Sequence, residues 1–357
     1  MSLRPRSRSA LLAAMLRGKV TLPWRDIYDI GTAHVEAAAG YYNRNVRVDT
    51  PTGPVNVRIP IHGADIMDLR LWREEEILPA ITTYIRHAPR LLHASAEPRY
   101  QVHEFIDGPV LNAIAPRGVL VPPHVPADVV ALLTELSTIP RSKLPDSPAD
   151  WPHGDDTIAF AWRLSELTEQ IHSTYRNQYA PQFQAFGFPA DPLQVVEAAW
   201  PSLTRRPLVC IHSDIHRKNM IIKDGESYFL DWELALWGDP VYDLAVHFHK
   251  MGYTSAERDH VLQLWQAALS REYIEGWEHD LDTYLAHEQI KSAIVDTVRY
   301  SQAFIDPSYA PEPEHVLVDK LTVKLNNAYR RWAVTERVNA DTVEARLRDW
   351  AQRLSAQ

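Results

Sequence analysis

The sequence predicts an α+β protein with a small β-rich N-terminal lobe, residues 1–106, and a large helical C-terminal lobe, residues 107–357. Three observations carry this reading. Strand-period alternation is concentrated in the first hundred residues, and helix-period apolar stripes dominate after them. One short hairpin, in "HSDIHRKNMIIKDGESYFLDWE" from His212 to Glu233, interrupts those helices. A chain of 357 residues is long enough for two domains or one large two-lobed unit.

The balance of 45% hydrophobic and 23% charged residues is that of an ordinary soluble globular protein. A net charge of −9 argues against a nucleic-acid partner held by a basic surface. It is compatible with a cationic small molecule, and equally with a role in solubility. The single cysteine, Cys210 in "LVCI", rules out a disulfide framework within the monomer and points to a reducing cytoplasm. Its apolar flanks make it a buried strand residue rather than a catalytic thiol. The N-terminal "MSLRPRSRSALLAAMLRGK" begins basic, but its short apolar stretch is closed by Arg17 and Lys19. It reads as an arm leading into a short helix, with no signal peptide or membrane span.

In chain order, "NVRVDTPTGPVNVRIP" alternates through a Pro-Thr-Gly turn, placing Val55, Val57 and Ile59 on one face and Asn56 and Arg58 on the other. Pro60 ends that pairing. "DIMDLRLWREEEILPAITTYI" carries Leu71, Ile77, Leu78 and Ile81 at helical spacing. "RYQVHEFIDG" is a strand that breaks at Asp107-Gly108. Helices follow in "PADVVALLTELSTI", "TIAFAWRLSELTEQIHSTY", "ERDHVLQLWQAAL" and "HVLVDKLTVKLNNAYRRWAV", and "PRSKLPDSPADWP" is a loop. No repeat, low-complexity tract or heptad pattern is present.

Within the hairpin, Asp224-Gly225 is a strong turn signal between "NMII" and "YFLD". Centring the turn on Gly225 sets Asn219 beside Asp231, and a two-residue turn shifts the register by one and keeps them adjacent. Asp214 lies on the loop just before. Two oxygen donors side by side with a third carboxylate nearby suit a hard cation such as Mg²⁺ carrying phosphate. The plainer alternative is a polar hairpin end with a turn-capping Asn; convergence of three such groups favours chemistry.

These residues resemble a known family. His212 to Asn219 is similar to the H-x-D-x-x-x-x-N loop of aminoglycoside phosphotransferases and their choline and homoserine kinase relatives, with a logic shared by protein kinases. "FLDWE" and "WGDPVYDLA" resemble the family's strand-Asp-x-Glu and GDPxxDLA segments in the same order, and the likeness spans roughly residues 28 to 250. It implies a protein-kinase-like bilobal fold. It further implies Asp214 as the catalytic base, Asn219 and Asp231 as magnesium ligands, His212 as a brace, and Asp243 as a support for the loop backbone. Ser213, Arg217 and Lys218 depart from the Gly, Pro and Gly common in the family; Arg217 and Lys218 are candidates to touch the transferring phosphoryl group or to be solvated.

For the nucleotide, "AAAGYYNRNVRV" resembles the family's phosphate loop, with Gly40 permitting close backbone approach and Asn43 following. Arg58 takes the third-strand position usually held by Lys, and Glu74 is its expected helix partner, with Glu75 and Glu76 as rivals. Backbone groups around Glu104 and Ile106 would read adenine. His247 and His249 lie on opposite sides of a helix without a third ligand, which argues against zinc.

The expected activity is ATP-dependent, magnesium-requiring phosphoryl transfer to a hydroxyl of a small molecule, most of all an antibiotic, by a cytoplasmic kinase acting without nucleic acid or membrane. The alternatives are a metabolic kinase for choline, homoserine or a sugar, and a non-catalytic nucleotide-binding regulator. The "REYIEGWEHDLDTY" segment offers Glu275, Glu278, Asp280 and Asp282 to an acceptor, and Trp237, Tyr273 and Trp277 offer rings, each equally placed to be helix surface or core.

Overall fold

A computed structural model describes residues 22–33, 38–39, 43–61, 70–310 and 312–355. Two of the expectations above, the N-terminal arm and the phosphate-loop Gly40, lie outside the described residues. The described part divides into two compact units, and the division is not at a single point in the chain. One unit takes in the described residues of Met1–Asp65 and Pro89–Asp107; the other those of Ile66–Ala88 and Gly108–Gln357. The helix expected in the β-rich lobe therefore belongs to the second unit, because its apolar face packs there.

The first unit is an antiparallel sheet with one helix on it. Helix α1 (Trp24–Ala33) precedes β1 (Ala38–Ala39), β2 (Asn43–Thr50) and β3 (Gly53–Pro60); β4 (Leu91–Ala96) and β5 (Arg99–Glu104) complete the order β1-β2-β3-β5-β4. The period-2 pattern does what it predicts. Val46 pairs with Val57 and Val48 with Val55, and these four form a core with Ile27, Tyr100 and Val102. The other face carries Asn56, whose amide donates to Asn45 Oδ1 at 3.3 Å, and Arg58. "LLHASA" adds β4, a strand without a clear apolar alternation in the sequence.

The second unit holds α2 (Glu74–Ile81), α3 (Val125–Ser137) and the long α4 (Thr157–Ala185). After them come β6 (Val209–Ile211), the hairpin β7 (Met220–Lys223) with β8 (Glu226–Phe229), and β9 (Leu236–Gly238). The chain ends in α5 (Pro240–Met251), α6 (Ser255–Ala268), α7 (Trp277–Ile305), α8 (Glu314–Arg331) and α9 (Ala340–Ser355). Ile77, Leu78 and Ile81 of α2 are fully buried, as their spacing requires. Helix α5 is capped at its start: Asp239 accepts from the Val241 amide at 2.9 Å and Pro240 fills the first helical position.

Three features position the hairpin. The turn Asp224-Gly225 has positive φ at both residues, 54° and 81°, the two-residue form that matches strand twist. Pairing then runs Met220 with Phe229 through Lys223 with Glu226. Gly108 sits against β7 so closely that a Cβ there would lie 2.3 Å from Ile222 O, and the Ile222 amide donates to Pro109 O at 2.9 Å. The loop "PRSKLPDSPADWP" is likewise pinned: Trp72 Nε1 donates to Asp146 O at 2.9 Å and Trp151 Nε1 to Trp237 O at 2.8 Å.

Candidate active site

Strand β6 delivers the loop 212–219, and β9, paired to it antiparallel, delivers Asp239 and then α5. Asp243, one turn into α5, turns its carboxylate back on the loop. It accepts from the His212 amide at 3.0 Å and from the Ser213 amide at 2.8 Å. Burial pushes this carboxyl up to about 6 against those two amide bonds. Ser213 itself adopts a left-handed φ of 59°, so the two clamped amides hold the backbone where a side-chain-bearing residue is uncommon. His212 is fully buried, packs on Trp232 with ring centroids 4.3 Å apart, and burial pushes it down to about 4. A neutral, packed imidazole braces the loop.

Asp214 is the focus of the loop. Lys250 from the last turn of α5 donates to its Oδ1, His216 Nε2 stands 3.6 Å from the same oxygen, and Asn219 Nδ2 donates to Oδ2 at 2.8 Å and to the Asp214 carbonyl at 3.1 Å. Burial works to raise this carboxyl, but Lys250 and His216 outweigh it and hold it well below the usual carboxylate range. It is therefore a carboxylate throughout the physiological range. Lys250, a lone lysine in "HFHKM", carries no local signal of this role.

Asn219 commits its amide nitrogen to Asp214, so its Oδ1 is the atom left to ligate. Across the hairpin the Leu230 amide donates to Asn219 O at 2.8 Å, which sets Asn219 opposite Leu230 and makes Asp231 the next residue. This is the register of the two-residue turn. Asp231 takes a left-handed φ of 67°, and the following Trp232 amide donates to Glu74 Oε1 at 3.0 Å. Glu74 is thus buried at the start of α2 with its carboxylate on the backbone beside Asp231, while Glu76 caps its own helix through the Arg73 amide at 3.1 Å. Among the described residues no three His, Cys, Asp or Glu side chains group as metal ligands would. A divalent ion at an Asn and Asp pair would complete its shell with water and phosphate oxygens, which fits magnesium.

In the first unit, Arg58 is buried rather than splayed on the sheet surface. With the Asn43 amide turned so that its oxygen faces the guanidinium, Asn43 accepts from Arg58 Nη2 at 2.9 Å and Nε at 3.3 Å. The structure thus joins two of the residues expected to hold phosphate. His103, on the neighbouring strand β5, is pushed down to about 3 by burial and by Arg58, and bonds Gln101 Oε1 at 2.7 Å. Ile106 is buried, and the Glu104 amide donates to Arg90 O at 2.8 Å.

Several charged residues prove to be scaffold. Arg217 is buried and spends its guanidinium on carbonyls, with Nε to Met251 O at 2.8 Å and Nη1 to Ala115 O at 2.7 Å and Val119 O at 2.8 Å. Lys218 pairs with Glu312 at 2.5 Å. Asp280 is wholly buried against Arg206, and Asp282 forms a two-pronged bond with Arg331 at 2.8 Å on both arms. Trp277 packs edge-on to Trp265. His247 Nδ1 meets Ile215 O at 3.1 Å and His249 Nε2 meets Ser292 Oγ at 2.8 Å, so both imidazoles have packing partners.

The fold is similar to those of several solved phosphotransferases. A choline/ethanolamine kinase family protein from Mesorhizobium loti is 16% identical with a TM-score of 0.55, over 89% of this chain and 94% of that one. A macrolide 2′-phosphotransferase type I is 16% identical with a TM-score of 0.54, over 90% and 99%. The choline kinase LicA from Streptococcus pneumoniae is 14% identical with a TM-score of 0.54, over 86% and 99%; a LicA structure in complex with AMP is likewise similar. No curated protein sequence matches the chain significantly. No helix among the described residues is long and apolar enough to cross a membrane. The profile of the phosphotransferase enzyme family matches residues 34–280, and the chain belongs to that family.

Proposed function

We propose that this phosphotransferase moves the γ-phosphoryl group of ATP, with magnesium, to a hydroxyl of a small molecule in the cytoplasm. The observation that carries the reading is Asp214, a carboxylate fixed by Lys250 and Asn219 on a loop whose backbone Asp243 clamps. In balance, ATP and R–OH give ADP and the phosphate monoester of R: the bond from the γ-phosphorus to the bridging oxygen breaks, and a bond to the acceptor oxygen forms.

Asp214 accepts a hydrogen bond from the acceptor hydroxyl and aims it at phosphorus. Held low, this carboxylate has little affinity for a proton in the ground state, so it orients first and takes the proton only as the hydroxyl oxygen becomes bonded to phosphorus. Asn219 Oδ1 and Asp231 would hold the magnesium ion. When bound, the ion offsets charge on the phosphate oxygens. Arg58 and Asn43 would bind phosphate, and Glu104 and Ile106 would lie along the adenine. Glu74 steadies Asp231 through the Trp232 amide.

Supporting this reading are the family membership and the AMP bound in a structure of similar fold. An antibiotic is the acceptor proposed first, in line with the macrolide phosphotransferase among similar folds; a metabolic alcohol is the second reading, in line with the choline kinases. The test is a coupled ADP-release screen over aminoglycoside, peptide and nucleoside antibiotics, choline and homoserine, with mass spectrometry of the product. One added phosphate on an antibiotic supports the first reading. Turnover confined to choline or homoserine replaces it with the second.

A further inference from the structure

Helix α5 holds the loop 212–219 along its length as well as at its start. Asp243, His247, Lys250 and Met251 are spaced by one and two helical turns, so they share one face. Asp243 accepts from the His212 and Ser213 amides, Lys250 reaches Asp214, and the Met251 carbonyl accepts from Arg217 Nε at 2.8 Å. His247 stands between these contacts, with its Nδ1 3.1 Å from the Ile215 carbonyl. A helical turn advances about 5.4 Å, and two residues of extended chain span roughly 6.6 Å. From Asp243 to His247 the helix therefore keeps step with the loop from its Ser213 amide to its Ile215 carbonyl. One grip lies before Asp214 and the other after it.

The protons on His247 follow from its partners. A carbonyl oxygen can only accept, so Nδ1 carries a proton and donates to Ile215 O. The ring is fully buried, and burial first, with His216, His212 and Arg217 adding to it, pushes it down to about 4 against the Ile215 bond. The imidazole is neutral at pH 7, which makes Nε2 an acceptor. Tyr253 OH, 3.1 Å from Nε2, is its donor, and the two rings meet edge-on with centroids 5.3 Å apart. Gly252, at a left-handed φ of 62°, ends α5 and turns the chain so that Tyr253 reaches back to His247. Within the loop, Asn219 holds the Asp214 carbonyl at 3.1 Å through Nδ2 and the His216 carbonyl at 2.9 Å through its amide. Those two bonds tie the loop to itself, whereas the bond from His247 ties it to the helix beneath.

We propose that His247 is a positioning residue for phosphoryl transfer: it fixes the chain just after Asp214 through the Ile215 carbonyl, and Tyr253 holds it in the tautomer that can do so. This rests on the phosphotransferase reading above and deepens it. With Asp243 alone the loop is gripped from α5 on one side of Asp214, and the carboxylate can swing about that grip. The second grip removes the swing, so the acceptor hydroxyl meets Asp214 in one orientation.

The test compares His247→Leu, His247→Asn and Tyr253→Phe with the parent, all at full length. ADP release is measured with Mg-ATP and, in turn, kanamycin, erythromycin, choline, homoserine and water alone. Leu cannot donate to Ile215 O, whereas Asn carries its amide nitrogen close to where the ring carries Nδ1. Misplacing a reacting group by about 1 Å costs on the order of 10²-fold in rate, so His247→Leu should lower kcat about 10²-fold and His247→Asn should recover about tenfold of that. The KM for ATP should stay within about twofold of the parent value in both. Both substitutions remove the ring and the acceptor for Tyr253, so their unfolding temperatures should fall alike; a merely structural role would leave their kcat values alike too. Tyr253→Phe keeps the buried imidazole and serves where His247→Leu does not fold; it should lower kcat about three- to tenfold. In ¹⁵N-histidine NMR the parent's His247 should show the Nδ1-protonated tautomer, and Tyr253→Phe should add a share of the Nε2-protonated form. Equal kcat in His247→Leu and His247→Asn, unchanged kcat in Tyr253→Phe, a change confined to the KM for ATP, or the Nε2-protonated form in the parent overturns the proposal. A parent protein that releases no ADP with any of these acceptors or with water defeats the phosphotransferase reading instead, and the role of His247 falls with it.

Discussion

Two ion networks hang from α5 and α7, and they contrast. At the start of α5, Arg206 meets Asp239 at 3.0 Å and Asp280 in a bond from Nη2, Tyr284 donates to Asp239 Oδ2 at 2.9 Å, and Arg206 Nη1 donates to Glu275 O at 2.6 Å. The side chains of Arg206, Asp239 and Asp280 are wholly hidden from water. At the end of α5, Lys250 meets Asp214, and both remain partly open to solvent. The first network is closed to water, its two carboxylates sharing one guanidinium that ties chain segments to one another. The second is open to water on one side. Complete burial marks scaffold; partial exposure beside a loop carboxylate leaves room for a ligand.

That contrast breaks first at Asp214. Asp214→Asn should lower turnover by about 10³-fold or more, with Mg-nucleotide binding retained, because shape survives and the proton acceptor does not. Asp231→Ala should lose both, since the phosphates lose a metal ligand. Calorimetry with a non-hydrolysable Mg-ATP analogue alongside turnover checks the pair. Retained turnover in both variants would reduce the hairpin to a structural element.

In the closed network the effect should fall on stability instead. Arg206→Met leaves Asp239 and Asp280 buried without their cation and should cost about 3–5 kcal/mol in denaturant unfolding. The fraction that remains folded should keep its turnover. A variant with parental stability would show that the network is not closed as described.

The next effect is on acid stability. Burial is the first cause that pushes His212 and His247 down to about 4, and His103 and His249 to about 3, from an unfolded value of 6.5. The unfolded chain takes up protons that these imidazoles refuse, so their contribution is complete above pH 6.5 and is lost as pH falls toward 4. By pH 5 each has lost about 2 kcal/mol. Asp243, pushed up to about 6, acts in the opposite sense: its native carboxyl gains a proton between pH 6 and 4 before the unfolded one does, and offsets part of the loss. Thermal unfolding at pH 7 and pH 5 should show a net fall, and His247→Gln should show a smaller one. Equal falls in the two proteins would remove His247 from this account.

The smallest expected effect lies at Arg58. Arg58→Lys keeps the charge but loses the planar pair of bonds to Asn43, and should raise the KM for ATP about tenfold without altering that for the acceptor. Steady-state kinetics with each substrate varied in turn would show it; an unchanged KM for ATP would take Arg58 out of phosphate binding.

Much of this is legible in the sequence, and the remainder has a physical reason for being hidden. The alternation of Val46 and Val48 with Val55 and Val57 fixes the first sheet because period 2 and burial agree there. Asp-Gly fixes the hairpin turn through its positive φ. The loop 212–219 is readable because local spacing brings its polar groups together. Lys250 is not readable: it meets Asp214 across 36 residues, and only the return of α5 beneath the loop makes them neighbours. Arg217 misleads in the opposite way. A cation in a phosphate-handling loop invites a functional role, yet the Ala115 to Val119 segment turns its carbonyls inward and captures it. Asp280 and Asp282, two residues apart on α7, show the same limit: one is buried on Arg206 and the other meets Arg331 at the surface.

The left-handed backbone at Asp231 has a further consequence. An aspartate held there carries roughly 1–3 kcal/mol of conformational strain that a glycine would not feel. Glycine at this position would let the chain relax and yet leave the hairpin without its carboxylate. The same conflict exists at Ser213, whose amide must point at Asp243. Directed selection for heat resistance alone should therefore drift toward glycine at 231 and arrive at a sturdier, inert protein, so any thermostabilisation of this chain has to screen for turnover at every round.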